Sequence, residues 1–257
     1  MKSLKTIDKV KELIYPIATF VVLLLLWQII VTYNQIPQYI LPTPIDIINS
    51  FREDFVNLYN NMLVTLYEAT VGLVLALILA LIIGMLMDFI DIFRKCLYPI
   101  ILVSQMIPTI TIAPLLIIWF GFDSLPKIIM VTITCFFPIL ISFVDGIENI
   151  DKDYIKLFKT MNSNKINTFI HLKFPMALES LFSGLKISAT YAIMAATVAE
   201  WLGGTEGLGV YMVRAKSAYA LDKVFASTIV VVILSLIFVG VVQLIKNIIM
   251  KHNRGGE

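Results

Sequence analysis

The sequence predicts an all-α membrane protein of six transmembrane helices. Hydrophobic residues make up 59% of the 257 and charged residues only 15%, where a soluble domain carries about 25%. Mean hydropathy is +0.89. Six apolar runs are each long enough to cross a hydrocarbon layer about 30 Å thick, which takes about 20 helical residues. The chain length fits one domain.

Taken in order, the runs cover residues 13–31, 63–87, 97–120, 126–144, 178–200 and 224–249. The third holds Pro99, Pro108 and Pro114, so it is expected to be kinked or broken. Pro175 opens the fifth, which is rich in Gly, Ala and Ser. Small residues let helices pack closely, and the same composition suits a helix that lines a pathway. No cleavable signal peptide is expected, since the first run is long and lacks a small-residue cleavage site.

Lysine and arginine set the orientation. With the N-terminus placed in the cytoplasm, the inner segments hold Lys2, Lys5, Lys9, Lys11, Arg94, Lys95, Lys152, Lys156, Lys159, Lys165, Lys173, Lys246, Lys251 and Arg254. The outer segments hold only Arg52, Lys127, Arg214, Lys216 and Lys223. Lys186, two turns inside the fifth run, can snorkel inward. Both termini are therefore expected in the cytoplasm.

The same bias places there a polar island, residues 145–175, about thirty residues long. Asp151 and Asp153 suit a helix start. Tyr154, Leu157, Phe158 and Met161 follow at i, i+3, i+4 and i+7, which makes one apolar stripe. Asn162, Ser163 and Asn164 break that helix and can cap another. Ile166, Phe169 and Ile170 repeat the spacing, and Pro175 fits the first turn of the next helix. Two short amphipathic helices at an angle are expected. From the residues alone they suit either a helix lying on the inner leaflet or one docked in a partner's groove.

Other features exclude several classes. A net charge of +2 is too small for nucleic acid. Cys96 and Cys135 lie in apolar runs without a CxxC pair and are expected to be buried thiols. His171 and His252 are too isolated for a metal cluster. No P-loop is present, and the glycine-dense stretch 203–209 follows no strand and lacks GxGxxG, so it is expected to be a tight re-entrant turn. Glu68, early in the second run, is expected at a solvated edge. A membrane-embedded enzyme would need buried catalytic clusters that the runs lack. A stand-alone channel or secondary carrier remains an alternative of another class.

The island resembles the cytoplasmic coupling loop of ABC importer permeases. That signature reads EAA, three residues, Gly, nine residues, then I-x-L-P. Leu172-Lys173-Phe174-Pro175 stands at the last element, Asn162 at the glycine, and Lys156-Leu157-Phe158 at EAA. The spacing is intact and the proline matches outright. Leu172 and Phe174 are apolar substitutes, and Asn tolerates the left-handed φ of a glycine turn better than most residues. Residues 41–47, LPTPIDI, look like an element of the nitrate, sulfonate and taurine importer branch. So do residues 108–121, PTITIAPLLIIWFG. Residues 199–226, AEWLGGTEGLGVYMVRAKSAYALDKVFA, closely resemble permeases for thiamine precursors of the hydroxymethylpyrimidine type. Together these blocks span most of the chain.

The resemblance implies a type I ABC importer permease fold with a cytoplasmic coupling loop, in the cell membrane of a prokaryote. It divides the chain into residues 1–60 (cytoplasmic tail, first transmembrane helix and outer amphipathic segment), 61–249 (the ABC transmembrane type-1 domain) and 250–257 (a cytoplasmic tail). It implies a homodimer, a cytosolic ABC ATPase as a separate subunit, and an extracytoplasmic solute-binding protein over residues 33–61 and 201–223. No cofactor and no catalytic residue are implied. The ATPase coupling loop would use Tyr154, Lys156, Leu157, Phe158, Met161, Asn162, Leu172, Phe174 and Pro175. An outer gate or binding-protein dock would use Glu200, Trp201, Arg214 and Lys216. The implied cargo is a pyrimidine precursor of thiamine, with sulfonate, taurine, nitrate or another small solute as the alternative.

Overall fold

The computed structural model describes the backbone of residues 2–254 and the side chains of residues 14–251. The side chains of Lys2, Lys5, Lys9, Lys11, His252 and Arg254, which entered the reading above, lie outside that range.

Among the described residues all regular structure is helical. The helices are α1 (Lys2–Tyr33), α2 (Pro44–Glu53), α3 (Phe55–Phe89), α4 (Asp91–Ser104), α5 (Thr109–Phe120), α6 (Ser124–Glu148), α7 (Lys152–Thr160), α8 (Lys165–Thr168), α9 (Phe174–Gly203), α10 (Leu208–Ser217) and α11 (Leu221–Arg254). A π-helical turn, Phe169–Lys173, joins α8 to α9. Five helical stretches are long and apolar enough to span a membrane, or six if the bent pair α4–α5 is counted as one span.

The third run is broken rather than kinked. Its halves meet at 99° across residues 105–108. Pro108 is the N-cap of α5, while Pro99 and Pro114 lie inside intact helices. Pro108 cannot donate a backbone hydrogen bond and biases Ile107 away from helix, so the chain turns there.

One compact unit comprises Met1–Tyr59 and Tyr211–Ile229. Helix α2 starts with a capping box, in which the Thr43 hydroxyl accepts from the Asp46 N–H and the Asp46 carboxylate accepts from the Thr43 N–H. The Gln28 carboxamide oxygen accepts from the Ile45 N–H, tying α1 to α2. Trp27 tilts against Phe225 with ring centroids 5.6 Å apart. Asp54, just after α2, accepts from Lys223 Nζ at 2.8 Å and from the Tyr211 hydroxyl at 3.0 Å. The Lys223 ammonium holds the Asp54 carboxyl below its ordinary value of 3.8. Burial, and then the Asp54 charge, push the Tyr211 hydroxyl up.

The other unit comprises Asn60–Val210 and Val230–Glu257. Its centre is the pair α6 and α9. Small residues line the shared face: Ala177, Ala189, Ala192 and Ala196 are all fully buried. A Cβ added at Gly184 would stand 2.5 Å from the Pro138 carbonyl oxygen, and one at Gly146 would stand 2.7 Å from the Ser180 side chain. Two reciprocal hydrogen bonds cross the face, Ser188 Oγ to the Cys135 carbonyl and Cys135 Sγ to the Ser188 carbonyl. This is how membrane helices associate when lipid removes the hydrophobic drive between them. Gly72 and Gly84 likewise admit Val131 and Phe143, bringing α3 onto α6. Helix α5 covers α6 and α9 through Ala113, Leu116, Met130 and Ala199.

Cys135 is buried as expected, but Cys96 is exposed. It lies on a face of α4 that no other element covers, which an apolar run alone does not reveal. In the first unit the sign of the Asp54 shift carries a consequence. A lowered carboxyl value stabilises the fold fully above the ordinary carboxyl range and ceases to do so as pH falls through the lowered value. The melting-temperature gap between wild type and Asp54→Asn in detergent should be widest above about pH 5 and shrink towards about pH 3. A gap independent of pH would mean that the Lys223–Asp54 pair contributes nothing.

Candidate functional site

The island begins one turn later than its composition indicates, because α6 runs on to Glu148. Two contacts tie this end of α6 to α4: an ion pair of Arg94 with Glu148, and a 3.2 Å hydrogen bond from Tyr98 to Asp145. Asp151 caps α7, its carboxylate accepting from the Asp153 N–H at 2.9 Å. Asp153 pairs with Lys156 on the exposed side.

Helix α7 ends in a Schellman turn. Asn162 has φ +57°; its N–H reaches the Lys159 carbonyl, and the Ser163 N–H reaches the Phe158 carbonyl. Both orphan carbonyls are thereby satisfied. Asparagine thus holds the left-handed position that glycine usually fills. Asn164 then caps α8, accepting from the Asn167 N–H at 2.7 Å.

The predicted stripe divides. Tyr154, Leu157 and Met161 are 52%, 54% and 70% exposed, while Phe158 is half-buried. Ile155, absent from the stripe, is also half-buried and lines a 250 Å³ cavity with Asp88, Lys159, Ser163, Thr168 and Lys173. The exposed face of α7 is therefore Tyr154–Leu157–Met161, with Lys156 beside it.

Residues after Asn164 anchor the loop. Leu172 and Phe169 are buried. Phe169 contacts Phe89 of α3 and Phe174 of α9, and Phe174 meets Phe143 of α6 edge-on. Lys173 pairs with Asp88 at 2.5 Å. The π turn is where it must be. A proline inside a helix loses its N–H and clashes with the carbonyl four residues back, here His171, and a widened turn relieves that clash. Residues 165–203 consequently run as one helical stretch from the loop into the membrane span. The motif spacing named Leu172, Phe174 and Pro175 as coupling-loop residues, not as anchors, and it gave no sign of Asp88 and Phe89 or of the anchoring role of Phe169. Asp88 and Phe89 lie some eighty residues away in sequence, so periodicity could not have found them.

At the far end of α9, Glu200 is fully buried. It accepts from Thr65 Oγ1 at 2.7 Å and from the Gly209 N–H at 2.5 Å. The Leu208 N–H donates to Thr65 Oγ1, and the Gly207 N–H to Asn61. Gly207 has φ +115°, and a Cβ there would fall within 2.5 Å of the Glu200 carboxylate. Glu200 thus satisfies the Gly209 N–H in the first turn of α10, while Thr65 takes that of Leu208; a carboxylate there is also favoured by the helix dipole. Trp201, next in line, is half exposed, and Arg214 and Lys216 are exposed in the last turn of α10.

Glu68 is not at a solvated edge. It is fully buried, 3.7 Å from Lys127 Nζ, and Lys127 itself is only 3% exposed. Charges inside a membrane bundle persist by pairing. Glu68 stands one turn from Thr65 on α3, and its partner comes from α6, which a reading of α3 alone cannot supply.

The family model described as "Binding-protein-dependent transport system inner membrane component" matches residues 72–252. The chain is 34% identical to a probable ABC transporter permease protein of Haemophilus influenzae, over 88% of this chain and 92% of the relative. It is 30% identical to the formylaminopyrimidine transport permease protein ThiX of Halalkalibacterium halodurans, over 91% of this chain and 94% of that one. Among solved structures, the MetNI methionine ABC transporter in an inward-facing conformation aligns with a TM-score of 0.65. It covers 75% of this chain and 96% of the other at 17% identity, a likeness of fold.

The left-handed turn can be tested directly. A β-branched residue at φ +57° costs about 1–2 kcal/mol, whereas glycine costs nothing there. Asn162→Val should raise the rate of tryptic cleavage in the loop about tenfold, and Asn162→Gly should leave it near the wild-type rate. Equal rates for both variants would mean that the turn is not held in this conformation.

Proposed function

The chain belongs to the family of binding-protein-dependent transport system inner membrane components and is the permease subunit of an ABC importer, and from that premise we propose that its cargo is a pyrimidine precursor of thiamine. The likeness to the formylaminopyrimidine permease carries this reading. Residues 199–226 are in keeping with it, because they closely resemble the corresponding block of hydroxymethylpyrimidine permeases.

In this proposal two copies of the chain form the pathway, and each docks one cytosolic ATPase subunit. The contact face is Tyr154, Leu157 and Met161 with Lys156, which are exposed apolar groups on a short capped helix. Unpartnered apolar groups at i, i+3 and i+7 suit a groove on a protein partner. Phe158, Asn162, Leu172, Phe174 and Pro175 hold that helix at its angle. Because residues 165–203 are one helical stretch, movement of the loop with a closing ATPase dimer is delivered directly to α9. Both termini and the loop are cytoplasmic. A solute-binding protein docks on the opposite side, over residues 33–61 and 201–223, where Trp201, Arg214 and Lys216 are exposed. Glu200 fixes the start of α10 there rather than meeting the partner itself.

Two measurements test this. In the reconstituted importer, Leu157→Asp should lower uptake at least about tenfold, since a buried carboxylate at a docked apolar contact costs well over 1.4 kcal/mol. Leu157 is half exposed, so melting temperature should hold. Normal uptake by this variant would exclude the docking face. For cargo, the solute-binding protein encoded with this permease should bind hydroxymethylpyrimidine or formylaminopyrimidine in preference to taurine, nitrate or an aliphatic sulfonate. Preference for one of those anions would refute the pyrimidine reading.

A further inference from the structure

The break between α4 and α5 faces the middles of α6 and α9, two helices long and apolar enough to span a membrane. It falls midway along the bent pair. Thr134 and Phe137, near the middle of α6, and Tyr191 and Met194, well inside α9, face it across a cavity of 290 Å³. Irregular backbone within a hydrocarbon layer is tolerated only where it is buried in protein or lines a cavity. This cavity is at the small end of ligand pockets, about 300–1,000 Å³.

Its lining has a defined chemistry. No Asp, Glu, Lys, Arg or His contributes to it. The Gln105 carboxamide, the Thr109 hydroxyl and the Tyr191 hydroxyl all line it, and among the described residues none has a hydrogen-bond partner within the protein. Pro138 has no N–H, so the Thr134 carbonyl in the same lining turn lacks its helical donor. Gln105 and Tyr191 are exposed, so these donors and acceptors are open to an occupant that supplies partners. Phe137 and Tyr191 add aromatic surface. An anion would meet no cation in the lining itself.

We propose that this cavity is a cargo-binding site within the permease, and that it takes an uncharged aromatic ring bearing hydrogen-bonding groups, of pyrimidine size. This rests on the cargo reading above and goes further, placing selectivity for neutral cargo in the membrane subunit. Gln105 offers both a donor and an acceptor to the ring edge, Tyr191 and Thr109 offer hydroxyls, and Phe137 offers a stacking face.

The test uses the assembled importer in proteoliposomes, with Cys96→Ser to remove the exposed thiol and Ile107→Cys to place one in the cavity lining. Ile107 is half exposed and lines the cavity without being one of its polar groups. Reaction of that thiol with a methanethiosulfonate reagent should be slowed at least about fivefold by hydroxymethylpyrimidine and unaffected by taurine. Adding Gln105→Leu and Tyr191→Phe should leave the cargo-free labelling rate unchanged, which reports an intact cavity, and should abolish protection. The same pair should lower uptake at least about tenfold. Three results would overturn the site: a thiol that never reacts, no protection in an importer that does take up the pyrimidine, or full uptake by the double variant. An importer that carries taurine and is protected by it would overturn the neutral-cargo assignment and the cargo reading together. Protection by a different uncharged heterocycle would refute only the earlier choice of pyrimidine and would support the cavity.

Discussion

The close approach of α6 and α9 is the constraint on which the second unit depends. It is possible only because Gly184, Gly146 and the buried alanines of α9 keep the shared face flat. Every functional feature of that unit is suspended from this pair. The loop begins where α6 ends and returns as the start of α9. The cavity at the α4–α5 break is walled by the middles of both helices, and the Glu200 cluster sits at the far end of α9. Lipid offers no hydrophobic drive between helices, so contact at van der Waals distance and a few hydrogen bonds must suffice. The reciprocal Ser188–Cys135 pair supplies two of them.

Hydrocarbon also dictates where polarity is allowed, since each polar group inside the layer must find a partner. Glu68 meets Lys127, Glu200 meets Thr65 and the start of α10, and Lys173 meets Asp88 near the loop. At the α4–α5 break, polar side chains face open volume.

The loop shows the converse economy. Its buried side packs aromatic rings against α3, α6 and α9 and pairs Lys173 with Asp88 of α3, and its outward side is a short row of apolar groups with a lysine. Asn162 permits this division by closing α7 in a Schellman turn without a glycine. The π turn then absorbs Pro175 and keeps the loop continuous with a membrane span.

Much of this was legible in the sequence because it depends on local order. Helical periodicity and span length located the six runs. The three prolines of the third run pointed to a kink or break without singling out Pro108, and the order Asp151, then Asn162 and Asn164, marked the caps. The 156–175 spacing and the blocks at 108–121 and 199–226 pointed to the permease family. What the sequence could not state was which groups meet. Glu68 looked solvated because Lys127 lies on another helix, and Phe158 looked equivalent to Leu157 because a helical period does not say which flank the body will cover. Cys96 looked buried because apolar surface is as much at home facing lipid as facing protein. Tertiary structure alone decided these, since burial inside a membrane bundle depends on which helix faces which, and that is set by the close packing of residues far apart in the chain.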